Sequence, residues 1–214
     1  MFGIPLKLLL LPVAGYFFGS IPFGLLFARL FGSSDIRKSG SGNIGATNVA
    51  RVAGPLAGIL TLVLDAAKGA AAVLFAADWS GESATWMMIG ALAALTGHCF
   101  PVWLKFKGGK GVATAAGVFA VLSPLAAAGA VVTFALVFVL SRYVSLASIT
   151  AAAAMPLLIY FLWVPGHAPP LVITFGTLAA TLLVIHKHDA NIQRLVQGDE
   201  PKFSPGKTRQ KDAE

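Results

Sequence analysis

VATAAGVFAVLSPLAAAGAVVTFALVFVLS, residues 112–141, is the stretch that decides how this chain is arranged. It contains no charged residue. A helix needs about twenty apolar residues to cross a hydrocarbon core of ~30 Å, so the stretch is too long for one ordinary crossing and too short for two full ones. Because proline interrupts helices and Ser123-Pro124 stands near the middle, two short helices are predicted here.

Four other intervals, one of them interrupted by Asp65 and Lys68, predict five further spans. Of the 214 residues, 57% are hydrophobic and only 12% are charged, whereas about one-quarter of an average soluble domain is charged. The interval 143–186 can supply two spans because VPGHAPP (164–170) divides it. The remaining spans are predicted at 8–28, at 52–77 and at 83–104.

The positions of the basic residues distinguish a topology with six spans from one with seven. With seven, almost every Lys and Arg lies on one side of the membrane and only Lys7 lies on the other, as the positive-inside tendency favours. We therefore predict an all-α polytopic membrane protein with seven transmembrane helices, two of them short and half-length, an N-terminus outside and a cytoplasmic C-terminus. Residues 1–198 are predicted to form one transmembrane helical domain and 199–214 a solvent-exposed cytoplasmic tail.

Two basic loops on the cytoplasmic side are rich in glycine. The first, DIRKSGSGNIGATNVAR (35–51), can turn backbone N–H groups toward an anion and adds hydroxyl, amide and guanidinium donors. The second, GHCFPVWLKFKGGKGVAT (97–114), places three lysines and three glycines at the start of a helix, where backbone amides favour an anion. The alternatives are a flexible connection for the first loop and a positive-inside anchor for the second.

Neither loop is a nucleotide-binding motif. The first matches G-x-G-x-x-G, but that fingerprint needs a preceding β-strand, and here a membrane helix precedes it. The second lacks a Walker A pattern, because Leu104 replaces its first glycine and Gly111 its Ser or Thr.

A third segment, HKHDANIQRLVQGDEPKF (186–203), carries His188, Asn191 and Arg194 at three-residue spacing, which puts them on one face of a helix. Arg142 and Ser148 are expected at the same membrane surface. Asp65 and Lys68 lie three residues apart within a span and are predicted to neutralise each other, steadying the first loop.

Metal and disulfide chemistry is not expected. The single cysteine, Cys99, excludes an internal disulfide. The few carboxylates and histidines do not cluster at metal-ligand spacings, so no metal and no cofactor is predicted. The residues together predict a cytoplasm-facing pocket for phosphate beside an apolar chain.

At these three segments the sequence resembles the bacterial acyl-phosphate-dependent glycerol-3-phosphate acyltransferase family, integral membrane enzymes that make 1-acyl-glycerol-3-phosphate (lysophosphatidate). The resemblance rests on GSIPFG (19–24), GSGNIGATN (40–48), the whole second loop, and HDANIQRL with GDEPKF in 188–203. It implies a seven-helix bundle in the bacterial inner membrane with the active site facing the cytoplasm. It also implies a monomer that uses glycerol 3-phosphate and long-chain acyl phosphate among membrane lipids, a possible contact with the soluble enzyme that makes acyl phosphate, and no nucleic acid.

The residues and the resemblance together give the candidate site. Catalytic candidates are Lys110, Ser41, Arg51, His188 and Asn191. Substrate-binding candidates are Gly42, Asn43, Gly45, Thr47, Asn48, Lys107, Gly108, Gly109, Gly111, Thr114, Arg142, Ser148 and Arg194. Direct attack of a hydroxyl on an acyl phosphate needs no enzyme nucleophile, which fits the lack of a nucleophilic triad.

Three rival functions make different predictions. A CoA-dependent acyltransferase normally carries His-x-x-x-x-Asp, and no histidine here is followed by Asp five residues later. A phosphate or organic-anion transporter would also have basic loops and broken helices, and it predicts anion uptake into vesicles. A membrane scaffold predicts that Lys110→Ala changes nothing.

Overall fold

The structure is a computed structural model that describes residues 5–33, 35–163 and 168–203. Within those ranges every regular element is helical, as predicted for an all-α protein. The helices are α1 (Leu6–Leu9), α2 (Leu11–Ser20), α3 (Phe23–Leu30), α4 (Ala46–Ala53), α5 (Pro55–Ser80), α6 (Ala84–Cys99), α7 (Val112–Leu122), α8 (Pro124–Ser141), α9 (Val144–Leu162), α10 (Leu171–His186) and α11 (Asp189–Gln197). Short 3-10 turns occupy Ile36–Lys38 and Val102–Leu104.

Five helical segments are long and apolar enough to cross a membrane, namely Lys7–Leu30, Pro55–Ser80, Ala84–Leu104, Pro124–Ser141 and Val144–Leu162. The pair α10 and α11, bent by 57°, gives a sixth if it is counted as one span. The helix α7 is apolar but has only 11 residues.

The interval 112–141 breaks where the sequence predicts. The helix α7 ends at Leu122, and α8 begins with Pro124 in its first turn, where the missing N–H costs no hydrogen bond. The prediction of two half-length helices is right for α7 and wrong for α8. The break divides the interval unequally, leaving 11 residues to α7 and 18 to α8, so α8 is long enough to span the membrane.

Small residues let the helices pack closely. The helix α2 packs on α6, and α5 packs on α7. A Cβ added to Gly19 would collide with the main chain of Ala94, and one added to Gly117 would collide with that of Ala66. Close approach at small residues is how helices associate in lipid, where apolar burial gives little driving force. The apolar outer surface of α8, including Leu140 at 84% exposure, suits contact with lipid chains.

The first span is broken, whereas a continuous helix over 8–28 was predicted. The helix α2 ends at Ser20 and α3 begins at Phe23, because Pro22 cannot donate to the helical ladder. The carbonyl of Ser20 accepts from Nε1 of Trp103 at 2.6 Å, and that of Ile21 accepts from Nζ of Lys68 at 2.8 Å. Side chains from other helices therefore satisfy the carbonyls that the break exposes.

The buried charges pair as predicted and also contact the broken first span. Lys68 Nζ lies 2.7 Å from Asp65 Oδ1, and both side chains are almost fully buried. Lys68 also donates to the carbonyl of Ile21 in the broken first span, and the expectation that the pair steadies the first loop stays a prediction.

The predicted tail begins too early. The turn after α11 carries 199–203 back onto the bundle, where Glu200 accepts hydrogen bonds from Asn191 and Arg194. The N–H of Phe203 donates to the carbonyl of Arg142 at 2.8 Å. The packed chain therefore continues to at least Phe203. The rest of the tail, 204–214, and most of the predicted loop 164–170 lie outside the described residues.

Candidate active site

The three predicted segments meet at one cavity of about 800 Å³. Its polar end contains the first loop, Lys110 and α11, and its walls continue into apolar surface from α7, α8 and α9. Twelve of the predicted site residues line it: Ser41, Asn43, Gly45, Thr47, Asn48, Arg51, Lys110, Gly111, Ser148, His188, Asn191 and Arg194. The apolar wall includes Phe119, Ala127, Ala130, Phe134, Phe138, Ala151, Ala152 and Met155.

Asn48 organises the first loop. It is buried at the start of α4, and its Oδ1 accepts from the backbone N–H of Ser41 at 2.9 Å. Its Nδ2 donates to the carbonyls of Ile36, Ser39 and Asn43 at 2.9–3.2 Å. Because its donors and its oxygen are used within the loop, Asn48 shapes the loop rather than offering its amide to a ligand.

Three backbone N–H groups of the predicted anion cradle in the first loop bind within the loop itself. The N–H of Ser41 donates to Asn48, that of Gly42 to the carbonyl of Ser39, and that of Gly45 to Oδ1 of Asn43. The loop therefore presents the side chains of residues such as Ser41, Thr47 and Arg51 to the cavity instead.

The second loop is bound to the end of α6. The N–H groups of Gly108 and Gly109 donate to the carbonyls of Cys99 and His98, each at 3.1 Å. Gly111 adopts φ +84° and caps α7, a conformation that glycine tolerates and L side chains rarely adopt. These contacts carry Lys110 into the cavity and use the two glycine amides that were predicted to bind substrate.

Lys110 joins the second loop to α11. Its Nζ donates to Oδ1 of Asn191 at 2.5 Å, across 81 positions of sequence. Asn191 donates in turn to Glu200, whose other carboxylate oxygen accepts from Nε of Arg194, both at 2.7 Å. These hydrogen bonds link four polar side chains at α11, namely those of Lys110, Asn191, Glu200 and Arg194.

His188 is neutral and oriented. It is 2% exposed, and its Nδ1 donates to the carbonyl of Val184 at 2.7 Å. Burial lowers the pKa of His188 to about 4, with nearby Lys110 acting in the same direction, although the bond to Val184 and the Glu200 charge oppose it. With Nδ1 protonated, Nε2 is left as an acceptor.

The polar end carries a surplus of positive charge. Burial, opposed by the Glu200 charge and assisted by Arg194 and Arg51, lowers the pKa of Lys110 to about 8. Burial tends to raise the pKa of Glu200, but the polar side chains of Ser145, Asn191 and Arg194 outweigh burial and hold it below its ordinary value. Arg51, Lys110 and Arg194 line this end of the cavity together with Glu200, and the other lining carboxylate, Asp65, is paired with Lys68. Such an environment favours a multiply charged anion.

Six predicted binding residues lie away from the cavity lining: Gly42, Lys107, Gly108, Gly109, Thr114 and Arg142. Lys107 is exposed, and Thr114 is fully buried. Arg142 ends α8 in a left-handed conformation, and its carbonyl binds the backbone of Phe203.

The lining also contains polar residues that were not among the predicted site residues, namely Glu200, Ser145, Thr181, Asp65 and His98, although Ser145 was expected near the cytoplasmic surface and Asp65 was assigned to an ion pair. Glu200 lies within the GDEPKF stretch and was assigned to a tail. The available signal for Glu200 was a carboxylate that follows Asn191 and Arg194 closely in sequence. For Asp65 and His98 the signal was their polarity inside spans.

A helical bundle with a cationic cavity mouth and apolar walls defines a membrane protein that takes an anion carrying an apolar group. The sequence profile of the family described as glycerol-3-phosphate acyltransferase matches residues 9–198. The chain belongs to this family.

Similar proteins agree over nearly the whole chain. A glycerol-3-phosphate acyltransferase of Syntrophotalea carbinolica is 56% identical over 191 residues, covering 89% of this chain and 95% of the relative. One of Trichlorobacter lovleyi is 50% identical over 193 residues, covering 89% and 95%. The crystal structure of PlsY (YgiH), an integral membrane glycerol 3-phosphate acyltransferase, in its glycerol 3-phosphate form has a TM-score of 0.84 and 42% identity, covering 92% of this chain and 96% of that one. Its lysophosphatidic acid form has a TM-score of 0.82 and 41% identity, covering 92% and 95%.

Proposed function

We propose that the protein transfers a fatty acyl group from a long-chain acyl phosphate to the 1-hydroxyl of glycerol 3-phosphate, giving lysophosphatidate and phosphate. The observation that carries this proposal is the union of Arg51, Lys110 and Arg194 with an apolar wall in one cavity. Both substrates have a phosphate for the polar end, and the acyl chain needs the apolar wall. The solved relatives, which have glycerol 3-phosphate and lysophosphatidic acid forms, support the acceptor and the product.

The residues divide between the two substrates. Ser41, Arg51 and Lys110 hold the acyl-phosphate headgroup, and Ser148, His188 and Asn191 place glycerol 3-phosphate. Gly108 and Gly109 act through the shape of their loop, because their amides are bound to α6. Positioning and charge stabilisation are what this reaction requires, since the acyl phosphate is already activated.

The reaction needs no covalent enzyme intermediate. The 1-hydroxyl oxygen attacks the acyl carbon, the bond from that carbon to the phosphate oxygen breaks, and the hydroxyl proton leaves with the phosphate. A phosphate has a second pKa of about 6, whereas the pKa of His188 is lowered to about 4. The departing phosphate is therefore the stronger base. The substitution His188→Gln tests this, because a protein base at His188 would require kcat to collapse while both KM values stay unchanged.

The donor is tested by phosphate release from purified protein with palmitoyl phosphate, with and without glycerol 3-phosphate. We expect release to require both substrates and to yield lysophosphatidate, with palmitoyl-CoA inert. Equal activity with palmitoyl-CoA would contradict the acyl-phosphate donor. No turnover with either donor, together with phosphate uptake into proteoliposomes, would contradict the enzyme assignment and support a transporter.

We also propose seven crossings of the bacterial inner membrane, with the N-terminus outside and the cavity mouth and C-terminus in the cytoplasm. Support comes from α7 and α10 as additional apolar helices and from the gathering of three basic segments at one cavity. The chain is proposed to act as one monomeric catalytic domain that receives acyl phosphate from a soluble enzyme.

Single cysteines test the orientation. In a Cys99→Ala background, Glu82→Cys and Lys107→Cys place a thiol at two exposed positions on opposite predicted sides. A membrane-impermeant maleimide added outside spheroplasts is expected to label position 82 and not position 107. Labelling of both positions, or of 107 alone, contradicts the proposed topology.

A further inference from the structure

Two buried polar side chains on the cavity wall have no role in the reaction described so far. Asp65 and His98 are 2% and 5% exposed, and both line the cavity. Nδ1 of His98 lies 3.8 Å from Oδ1 of Asp65 and has no hydrogen-bond partner among the described residues. A buried polar group without a partner costs stability and calls for an explanation.

His98 supports the loop that carries Lys110. Its carbonyl accepts from the N–H of Gly109, and a Cβ added to Gly109 would collide with Nε2 of its ring. One edge of the ring is therefore covered by the backbone of Gly109, next to Lys110. The other edge faces Asp65. Placed in this way, the ring spaces the loop from the bundle.

Asp65 connects His98 to the rest of the bundle. It pairs with Lys68, whose Nζ also donates to the carbonyl of Ile21 in the broken first span. The contacts therefore run from that break through Lys68 and Asp65 to His98 and Gly109. Lys110 follows directly in sequence, and its Nζ reaches Asn191.

We propose that Asp65 and His98 are positioning residues for acyl transfer, which fix the loop of Gly108 and Gly109 at the depth where Lys110 meets Asn191 and the substrate phosphate. Only the kinetic part of this inference rests on the proposed function. The placement of Lys110 can be measured without turnover.

The pKa of Lys110 reports on that depth, because burial lowers it. Four charged or titratable groups face Lys110. They are Arg194 on α11, Glu200 after α11, Arg51 on α4, and His188. If the loop loses its support, Lys110 becomes hydrated, and its pKa rises toward that of an ordinary lysine. A substitution that only weakens the fold would lower the folded fraction and leave this pKa unchanged.

The first experiment measures amine labelling of Lys110 against pH in the full chain, in lipid nanodiscs, by mass spectrometry. Wild type is compared with His98→Ala, with His98→Phe, which keeps a ring beneath Gly109, and with Asp65→Asn. Met88→Ala is the matched control, because Met88 is a fully buried residue of the same helix α6 that does not line the cavity. We expect a labelling pKa near 8 in wild type and Met88→Ala, a higher value in His98→Ala, a smaller rise in Asp65→Asn, and recovery in His98→Phe. An unchanged labelling pKa in folded His98→Ala overturns the proposal.

The second experiment measures both KM values and kcat with palmitoyl phosphate and glycerol 3-phosphate. Displacing one charged contact to a phosphate should raise a KM by about tenfold, and we expect this in His98→Ala but not in Met88→Ala. If the rate falls tenfold only because a smaller fraction of the protein is active, and both KM values are unchanged, a positioning role is contradicted. If wild type shows no turnover but the labelling pKa still moves in His98→Ala, the proposed function fails and the placement of Lys110 by His98 stands.

Discussion

The two glycine-rich loops look alike in sequence but are held in different ways. The first loop is organised from within, since one side chain, Asn48, binds four of its backbone groups. The second loop is held from outside, since Gly108 and Gly109 donate to the last carbonyls of a membrane helix. Glycine composition indicates where the backbone can bend, but the partner of each N–H decides whether the loop is autonomous or part of the bundle.

Lys110→Ala should have the largest effect. It removes the cation that the second loop carries into the cavity, and removal of one electrostatic group that stabilises a transition state costs about 10²–10³ in rate. We expect a fall of this size in kcat/KM for phosphate release, with little change in Tm because Lys110 is only partly buried. Lys107→Ala, a lysine of the same loop outside the cavity lining, is the control. Equal losses in the two variants would contradict the assignment.

Asn48→Ala should be next, and it tests whether the first loop is organised from within. The change removes the partner of the Ser41 N–H and of the Asn43 carbonyl, both in partly buried hydrogen bonds, and an unsatisfied buried group costs up to about 1–3 kcal/mol. We expect kcat/KM to fall about 10- to 100-fold through displacement of Ser41 and Arg51. The measurement is kinetics with Tm. Asn48→Asp keeps the acceptor for Ser41 but turns a carboxylate oxygen toward the three carbonyls that Nδ2 now binds, so it should be at least as poor as the Ala variant. An Asp variant close to wild type would show that these three donated bonds do not organise the loop.

The pH profile should show the second loop directly. Because burial lowers the pKa of Lys110 to about 8, the charged form that binds phosphate is present below that pH and is lost above it. We expect kcat/KM to fall about tenfold per pH unit on the alkaline side. Lys110→Arg, which stays charged, should remove this limb even if its rate is lower. Persistence of the limb in Lys110→Arg would assign it to another group.

Gly42→Ala should have the smallest effect and sharpens the contrast with Gly108→Ala. Gly42 adopts φ +68°, and an added Cβ would lie 3.1 Å from the carbonyl oxygen of Arg37. Left-handed backbone at a non-glycine residue costs of order 1–3 kcal/mol, which an internally bonded surface loop can absorb, so we expect less than a threefold change in kcat/KM. At Gly108 an added Cβ would collide with the carbonyl of His98, and the loop should shift with loss of activity. Comparable kinetics for the two variants would show that the loops do not differ in this way.

The sequence predicted the helical elements and the gathering of the three segments because those follow from local patterns. Uncharged length, the proline at 124 and the side chosen by basic residues required no knowledge of distant contacts. The three-residue spacing of His188, Asn191 and Arg194 likewise placed them on one wall of the cavity.

What the sequence could not predict is where hydrogen bonds go. Glycine amides were expected to bind an anion, but those of Gly45 and Gly109 donate to Asn43 Oδ1 and to the carbonyl of His98. Glu200 was missed because its partners lie on α11 and it was assigned to a solvated tail. Spacing shows which groups can donate, and only the folded chain shows which acceptor lies nearest.

The break between α2 and α3 has a consequence for how the protein is made. The carbonyl of Ser20 receives its hydrogen bond from the indole of Trp103, 83 positions later in the chain. Hydrocarbon offers no substitute donor, and an unpaired carbonyl there costs several kcal/mol. The first hydrophobic segment to leave the ribosome therefore stays incomplete until the 3-10 turn after α6, which carries Trp103, has been synthesised and has packed beside it. The unit of stable insertion is then the first three spans together and not the first helix alone.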